Sequence, residues 1–383
     1  MSNTLIFVFL IGIGWFGSPT HGAEVGGNDA ELAHFRRLIN VRPKDIQANM
    51  HYQDLMIKAD RRREVLSEYR RRLQARPGSA VGLYLYGRLL TRPDERLEYL
   101  KRSTRANPRI FHARVDLGRT YYHKGNYDSA LAQYRAALEL KPGSAFVRNL
   151  MGLAYYHKGY ADQAVAEYRR AVKLNDKFTD AYLNLGLTYI YTGRSDKAIE
   201  IYEQALQFQS DTAERRYIYR NLGMAYAQEG KLGKARAAYL KALEIDPQYG
   251  EAYVSLGNLA FNRGDYETAA DTYRKATAAG ADDASVYLKL GVSYFNIRNY
   301  ENSIAHLQNA VEADSLQTDA YFYLGLACYR DGRHEEAREA LEAYVRKEKR
   351  TSKNSVVFDA KQLLDDLNRL RIRSSIPGAK KKE

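Results

Sequence analysis

The side chains best equipped for chemistry in this 383-residue sequence are its histidines, its single cysteine and its runs of arginine. Tyr122-His123-Lys124-Gly125 returns further on as Tyr156-His157-Lys158-Gly159. A catalytic zinc site on a helix needs two histidines four residues apart with a glutamate between them, or paired cysteines. His112, His123, His157, His306 and His334 have no such spacing, and Cys328 has no partner cysteine. The sequence also lacks a glycine-rich phosphate loop and a Gly-x-Ser-x-Gly elbow. Duplication of a longer unit explains the paired histidines better than a shared site does. No catalytic residue, metal or cofactor is therefore expected.

Charge gives a second test. The net charge is +13, which suggests a polyanionic partner until its distribution is counted. Residues 24–110 carry 19 basic and 11 acidic side chains, residues 111–343 carry 28 and 30, and residues 344–383 carry 12 and 5. The centre is close to neutral and the excess sits at both ends, in Arg61-Arg62-Arg63, Arg70-Arg71-Arg72 and Lys380 to Lys382. Solvated capping faces account for such ends. Contact with an anionic membrane or envelope polymer is the alternative, and no nucleic acid is expected for a protein that is exported.

Export is the reading of the first residues. Leu5 to Phe16 is an uncharged apolar run of 12 residues followed by Gly17, Ser18 and Pro19. That is short for a membrane span and suits the core of a signal peptide, here taken as residues 1–23. A periplasmic or cell-envelope location follows, with an uncleaved anchor as the alternative. One cysteine excludes an intrachain disulfide framework, so stability has to come from packing.

What the chain does contain is a ladder of glycines. Gly87, Gly118, Gly152, Gly186, Gly223, Gly257, Gly291 and Gly325 are 31, 34, 34, 37, 34, 34 and 34 residues apart. Each lies inside an apolar pattern of helical period, where glycine costs about 1 kcal/mol relative to alanine. Eight such losses need a reason, and close approach of a second helix supplies one. Twelve residues after the glycines come Ala130, Ala164, Ala198, Ala235, Ala269 and Ala337, with Ser303 in the equivalent place. A contact of small residue against small residue is expected there. Four residues further stand Tyr134, Tyr168, Tyr202, Tyr239, Tyr273, Leu307 and Leu341, on the same face of the second helix. Gly125, Gly159, Gly193, Gly230, Gly264 and Gly332 fall between the helices and suit a left-handed helix end.

The combination of Gly186, Tyr189, Ala198, Tyr202 and Ala205, repeated in the neighbouring units, resembles the tetratricopeptide repeat. The resemblance covers about residues 46–350 as nine units. It implies an all-α, right-handed superhelical solenoid of helix-turn-helix pairs with a concave groove. Gln53 replaces the first glycine, the second unit is about three residues short near Thr91 to Glu95, and a three-residue surplus near Asp211 to Ala213 should add a turn or extend a helix. Residues 24–45 and 351–383 are expected to supply an N-terminal capping helix and a C-terminal capping helix with a basic tail, because stacked repeats need polar-faced ends.

In this family the groove is lined mainly by the first helix of each unit. Carried over by position, the resemblance places His112, Arg119 and Tyr122 on that face, then Phe146, Asn149 and Tyr156. Ile190, Tyr191 and Met224 follow, and after them Asn258, Phe261, Phe295, Phe322 and Tyr329. The lysine of the carboxylate clamp found in some members is replaced by Val115, Leu183 and Val254. A protein or peptide segment is the implied partner, held by a non-enzymatic scaffold or assembly factor. A targeting subunit that holds a complex through its basic ends is the alternative. Within the groove face, Tyr121, Tyr155, Tyr189, Tyr226 and Tyr294 stand three residues after the glycines and are expected in the core. Tyr122, Tyr156, Ile190, Ala227, Phe261, Phe295 and Tyr329 stand one residue later, about 100° round the helix.

Overall fold

A computed structural model describes residues 27–208, 212–348 and 355–374. The apolar run Leu5 to Phe16 and the lysines at 380–382 lie outside the described residues. Among the described residues every regular element is an α-helix. The chain forms two compact units, Met1–Phe208 and Gln209–Glu383.

The first unit holds α1 (Gly27–Val41), α2 (Ile46–Lys58), α3 (Arg62–Ala75), α4 (Ala80–Gly87), α5 (Pro93–Ala106), α6 (Phe111–His123), α7 (Tyr127–Leu140), α8 (Ala145–His157), α9 (Ala161–Leu174), α10 (Thr179–Tyr191) and α11 (Ser195–Phe208). The second holds α12 (Thr212–Gln228), α13 (Leu232–Ile245), α14 (Gly250–Asn262), α15 (Tyr266–Ala278), α16 (Ala284–Asn296), α17 (Tyr300–Ala313), α18 (Thr318–Arg330), α19 (His334–Lys347) and α20 (Ser355–Ser374). From α2 to α19 the helices pair as nine units, and within each compact unit every helix packs on the next in sequence. The terminal helices close the stacks. Leu32 and Ile39 of α1 join Tyr52 and Leu55 in one core, and Val357, Ala360 and Leu367 of α20 join Leu341 and Tyr344 in another.

The turn inside each pair is built the same way. Gly125, Gly159, Gly193, Gly230, Gly264 and Gly332 have φ between 71° and 82°. The next residue donates its N–H to the carbonyl five positions back, as Asn126 does to Tyr121 and Arg194 to Tyr189, which satisfies carbonyls at the helix end. The eighth pair keeps this turn without glycine, with Arg298 at φ 61°, and the first pair does so with Asp60 at φ 56°.

The ladder glycines do make room for a second helix, but the partner differs from the expected one. A Cβ on Gly118 would sit 2.7 Å from Tyr134 Cδ1, and one on Gly291 would sit 2.6 Å from Leu307 Cγ. The glycine is opposed by the large residue sixteen positions on, rather than by the alanine at twelve. The alanines are fully buried and let the helices approach, while the aromatic ring lies across the glycine. At Gly87 it is the residue at twelve, Tyr99, whose side chain faces the glycine, and at Gly325 the carbonyl oxygen of Ala337, also at twelve, lies 3.3 Å from the Cβ position.

The irregular units show how length changes are absorbed. In the short second unit α4 has eight residues and no glycine turn follows it. Arg96, buried, donates Nε to Leu90 O at 2.9 Å and Nη2 to Arg88 O at 3.1 Å, and Arg62 donates to Leu89 O at 2.7 Å. Guanidinium groups thus serve the carbonyls that a turn would have served. In the first unit Gln53 is fully buried, donating to Leu85 O at 2.9 Å and accepting from Arg88 at 2.7 Å. The surplus before the Gly223 repeat lengthens α12 to 17 residues.

Candidate functional site

The residues expected on the groove come from α6, α8 and α10 in the first unit and from α12, α14, α16 and α18 in the second. Their first common property is ring-on-ring support. Tyr122 packs edge-on to Tyr127, the first residue of α7, with centroids 5.5 Å apart, and to His157 of the next pair at the same distance. Phe261 meets Tyr266 of α15 at 5.4 Å, Phe295 meets Tyr300 of α17 at 5.8 Å, and Tyr329 meets His334 of α19 at 6.0 Å. In each case a residue four after the glycine touches the residue nine after it, across the turn. These rings and Tyr156 are half-buried. Tyr122, Phe261, Phe295 and Tyr329 are held by a ring across the turn, whereas Tyr156 meets only its neighbour His157.

Phe146 and Tyr191 are more open, at 42% and 43% exposed. Phe322 packs on Tyr344 at 5.3 Å, and Met224 is half-buried. Asn258 accepts from Tyr273 Oη at 2.8 Å and from Lys289 Nζ. His112 is hydrogen-bonded to Gln47 at 2.8 Å, and Arg119 Nη1 lies 3.8 Å from Asp116.

Two of the expected groove residues are closed off. Asn149 is 4% exposed and accepts a hydrogen bond from Asn184 at 3.0 Å. Ile190 is 6% exposed because α10 packs against α8, α9 and α11, and everything from Ala181 to Ile190 is buried. The neighbouring column, three residues after the glycines, is only partly core. Tyr189 is buried, but Tyr121, Tyr155, Tyr226 and Tyr294 are half-buried. Cations from the preceding second helix cover several of these rings: Arg135 donates to Tyr155 Oη at 3.0 Å, Lys101 lies 5.8 Å from the Tyr121 ring and Arg169 lies 5.8 Å from that of Tyr189.

The chemistry-bearing residues have structural surroundings. His123 and His157 contact rings, and burial holds both below the ordinary imidazole value. Cys328 is buried, and burial pushes its thiol up to about 11, so little thiolate exists near neutral pH. Among the described residues no three potential ligands converge as a metal site would require, and no helix is long and apolar enough to cross a membrane. In the arginine runs, Arg61 binds Glu64, Arg62 binds Leu89 O, Arg70 binds Tyr86 and Arg72 binds Glu68 and Asn40. The sequence pattern did not single out Arg88, Arg96 and Lys289, which bond to Asp54, Leu90 O and Asn258. The missing turn in the short second unit was the available signal for the first two.

This architecture defines a helical-repeat binding protein. Residues 118–159 and 152–193 match a TPR repeat model, residues 178–248 match a tetratricopeptide repeat model, and residues 217–348 match the cilia and flagella-associated protein 70 C-terminal domain. The chain belongs to the tetratricopeptide-repeat proteins. Among solved structures it is similar in part to MamA, with 28% identity over 42% of this chain and 91% of that one and a TM-score of 0.38. It is also similar to pilF of Pseudomonas aeruginosa (20% identity, 55% of this chain and 94% of that one, TM-score 0.47) and to PilW, described as a widely conserved type IV pilus biogenesis factor (17%, 55% and 96%, 0.48). No curated protein matches the sequence.

Proposed function

We propose that this protein is a non-enzymatic scaffold or assembly factor of the cell envelope that holds an apolar, aromatic-binding segment of a partner protein along its groove face. The observation that carries this reading is the set of half-buried rings at Tyr122, Tyr156, Phe261, Phe295 and Tyr329. Ring contacts across each turn hold four of them before any partner arrives. Rigid aromatic anchors bind with little loss of side-chain entropy, and each contributes about 1–3 kcal/mol when a partner covers it. Changing Tyr156, Phe261 and Phe295 together to Ser is expected to weaken partner capture at least tenfold in a crosslinked pull-down from envelope extract, with helicity retained. Capture at full strength by a folded triple variant would refute the groove reading.

Export rests on Leu5 to Phe16. Intact mass of the protein from its native host is expected to show residues 1–22 or 1–23 removed. Met1 retained on a cytosolic protein would contradict the envelope assignment. The alternative partner, an anionic membrane or polymer at the basic ends, has less support, because Arg61, Arg62, Arg70 and Arg72 are all hydrogen-bonded within the molecule.

A further inference from the structure

A cavity of about 960 Å³ opens at the edge of the first compact unit where one helix pair joins the next, and none of the groove rings lines it. Its walls are the last turns of α1 and α3, the Pro77-Gly78-Ser79 loop, the start of α4 and the end of α5. The sequence at this junction explains the space. The later second helices α7, α9 and α11 end on Leu140, Leu174 and Phe208, whereas α3 and α5 end on Ala75 and Ala106. The third residue of α6, α8 and α10 is Ala113, Val147 or Ala181, and in α4 it is Gly82. Three shortened side chains thus meet at one place, and space left by missing side-chain atoms in a packed stack closes only in part. Lys44, Arg72 and Arg76 line the cavity, and no carboxylate does. Arg72 donates Nη2 to Glu68 at 2.6 Å and to Asn40 at 3.1 Å, and its side chain stays 31% exposed. Lys44 and Arg76 are exposed, and among the described residues neither is paired with a carboxylate.

We propose that this cavity takes the headgroup of an anionic phospholipid, with the phosphate on its cations and the glycerol ester stem on its apolar wall. The cations reach the space from three segments, the α1–α2 loop, α3 and the α3–α4 loop. A tetrahedral phosphodiester turns its oxygens in four directions and can meet all three, whereas a planar carboxylate offers two oxygens in one plane. Guanidinium groups bind phosphate through paired N–H bonds, and lysine serves as a point charge. The volume falls within the range of about 300–1,000 Å³ usual for small-molecule sites, more than a lone anion fills. Ile39, Val81, Leu85, Ala75 and Ala106 supply a surface for the uncharged part of the ligand. The wider field agrees, since residues 24–110 carry 19 basic against 11 acidic side chains, an excess that draws this end of the protein to an anionic bilayer. Arg61, Arg62 and Arg70 are bonded elsewhere and take no part. The lipid site and the groove rings are separate, so a protein partner and a membrane can be held together.

The test titrates the full chain by calorimetry at constant ionic strength with dihexanoylphosphatidylglycerol, kept below the concentration at which it forms micelles. Dihexanoylphosphatidylcholine is the zwitterionic control, and inorganic phosphate is the free anion. Saturable binding of the glycerol lipid is expected, with the choline lipid and inorganic phosphate weaker by about fivefold or more. Changing Lys44 and Arg76 together to Gln should weaken the glycerol lipid by about tenfold or more, since each cation beside an anionic lipid contributes a several-fold factor. Both side chains are exposed, so the fold should be kept. A second variant separates a built cavity from a merely charged surface. Ala75→Leu with Ala106→Leu gives α3 and α5 the ending of α7 and α9, fills the space and leaves every cation in place, and it too should weaken binding by about tenfold. Absence of saturable binding, equal binding of the choline lipid, inorganic phosphate bound as tightly as the lipid, or full-strength binding by the filled variant would overturn the proposal. Should the filled variant fail to fold, full-strength binding by the Lys44→Gln, Arg76→Gln protein overturns it equally.

Discussion

Replacing Gly186 by Val is expected to cost the first compact unit several kcal/mol, enough to lower its melting temperature by many degrees. A Cβ at Gly186 would sit 2.5 Å from Tyr202 Cε1 and 2.6 Å from its hydroxyl oxygen. Tyr202 cannot turn aside, because it is fully buried and its hydroxyl donates to Leu183 O at 3.2 Å. Overpacking of a filled core costs about 1–3 kcal/mol per event and more when the neighbour is fixed. The opposing term is the better helix propensity of Val over Gly, worth about 0.5 kcal/mol or less, so sterics decide the sign. The partner residue can be identified by rescue. Gly186→Ala combined with Tyr202→Ala should be less destabilising than the sum of the two changes, by about 0.5–3 kcal/mol of coupling, whereas Ala198→Gly should restore nothing to Gly186→Ala. Thermal denaturation of the four variants measures this, and rescue by Ala198→Gly alone would return the contact to the small residue at twelve.

The glycine ladder was legible in the sequence because a 34-residue period repeats a physical requirement, and a requirement that recurs eight times stands out from any single substitution. The same period located the left-handed turns. It did not reveal which side chain fills the space over each glycine. Ala198 and Tyr202 lie on one face of α11, four residues apart, and both are fully buried. Choosing between them needs the relative rotation of two helices, which sequence spacing does not specify. Burial of Asn149 and Ile190 was hidden for a related reason. Position within the repeat says which way a side chain leaves its helix, and α10 is covered by α8, α9 and α11 more completely than the repeat pattern implies.

The two aromatic columns give the second large effect. Tyr189→Ser should cost about 3–5 kcal/mol, since truncating a buried aromatic ring costs that much, and it also removes the ring from which the cations of Arg169 and Arg194 lie 5.8 and 5.2 Å away. A serine hydroxyl left in that space adds a desolvated polar group. Tyr156→Ser, one helical residue further round in the preceding pair, should cost about 1 kcal/mol, because the ring is half-buried and its contact with His157 at 5.6 Å is edge-on. Tyr155→Ser should fall between them, losing the Arg135 hydrogen bond and a half-buried ring. Chemical denaturation of the three variants orders them, and the order matters more than the values. If Tyr156→Ser proves as damaging as Tyr189→Ser, its ring serves the fold rather than a partner, and the set of anchors on which the groove reading stands loses one of its five members.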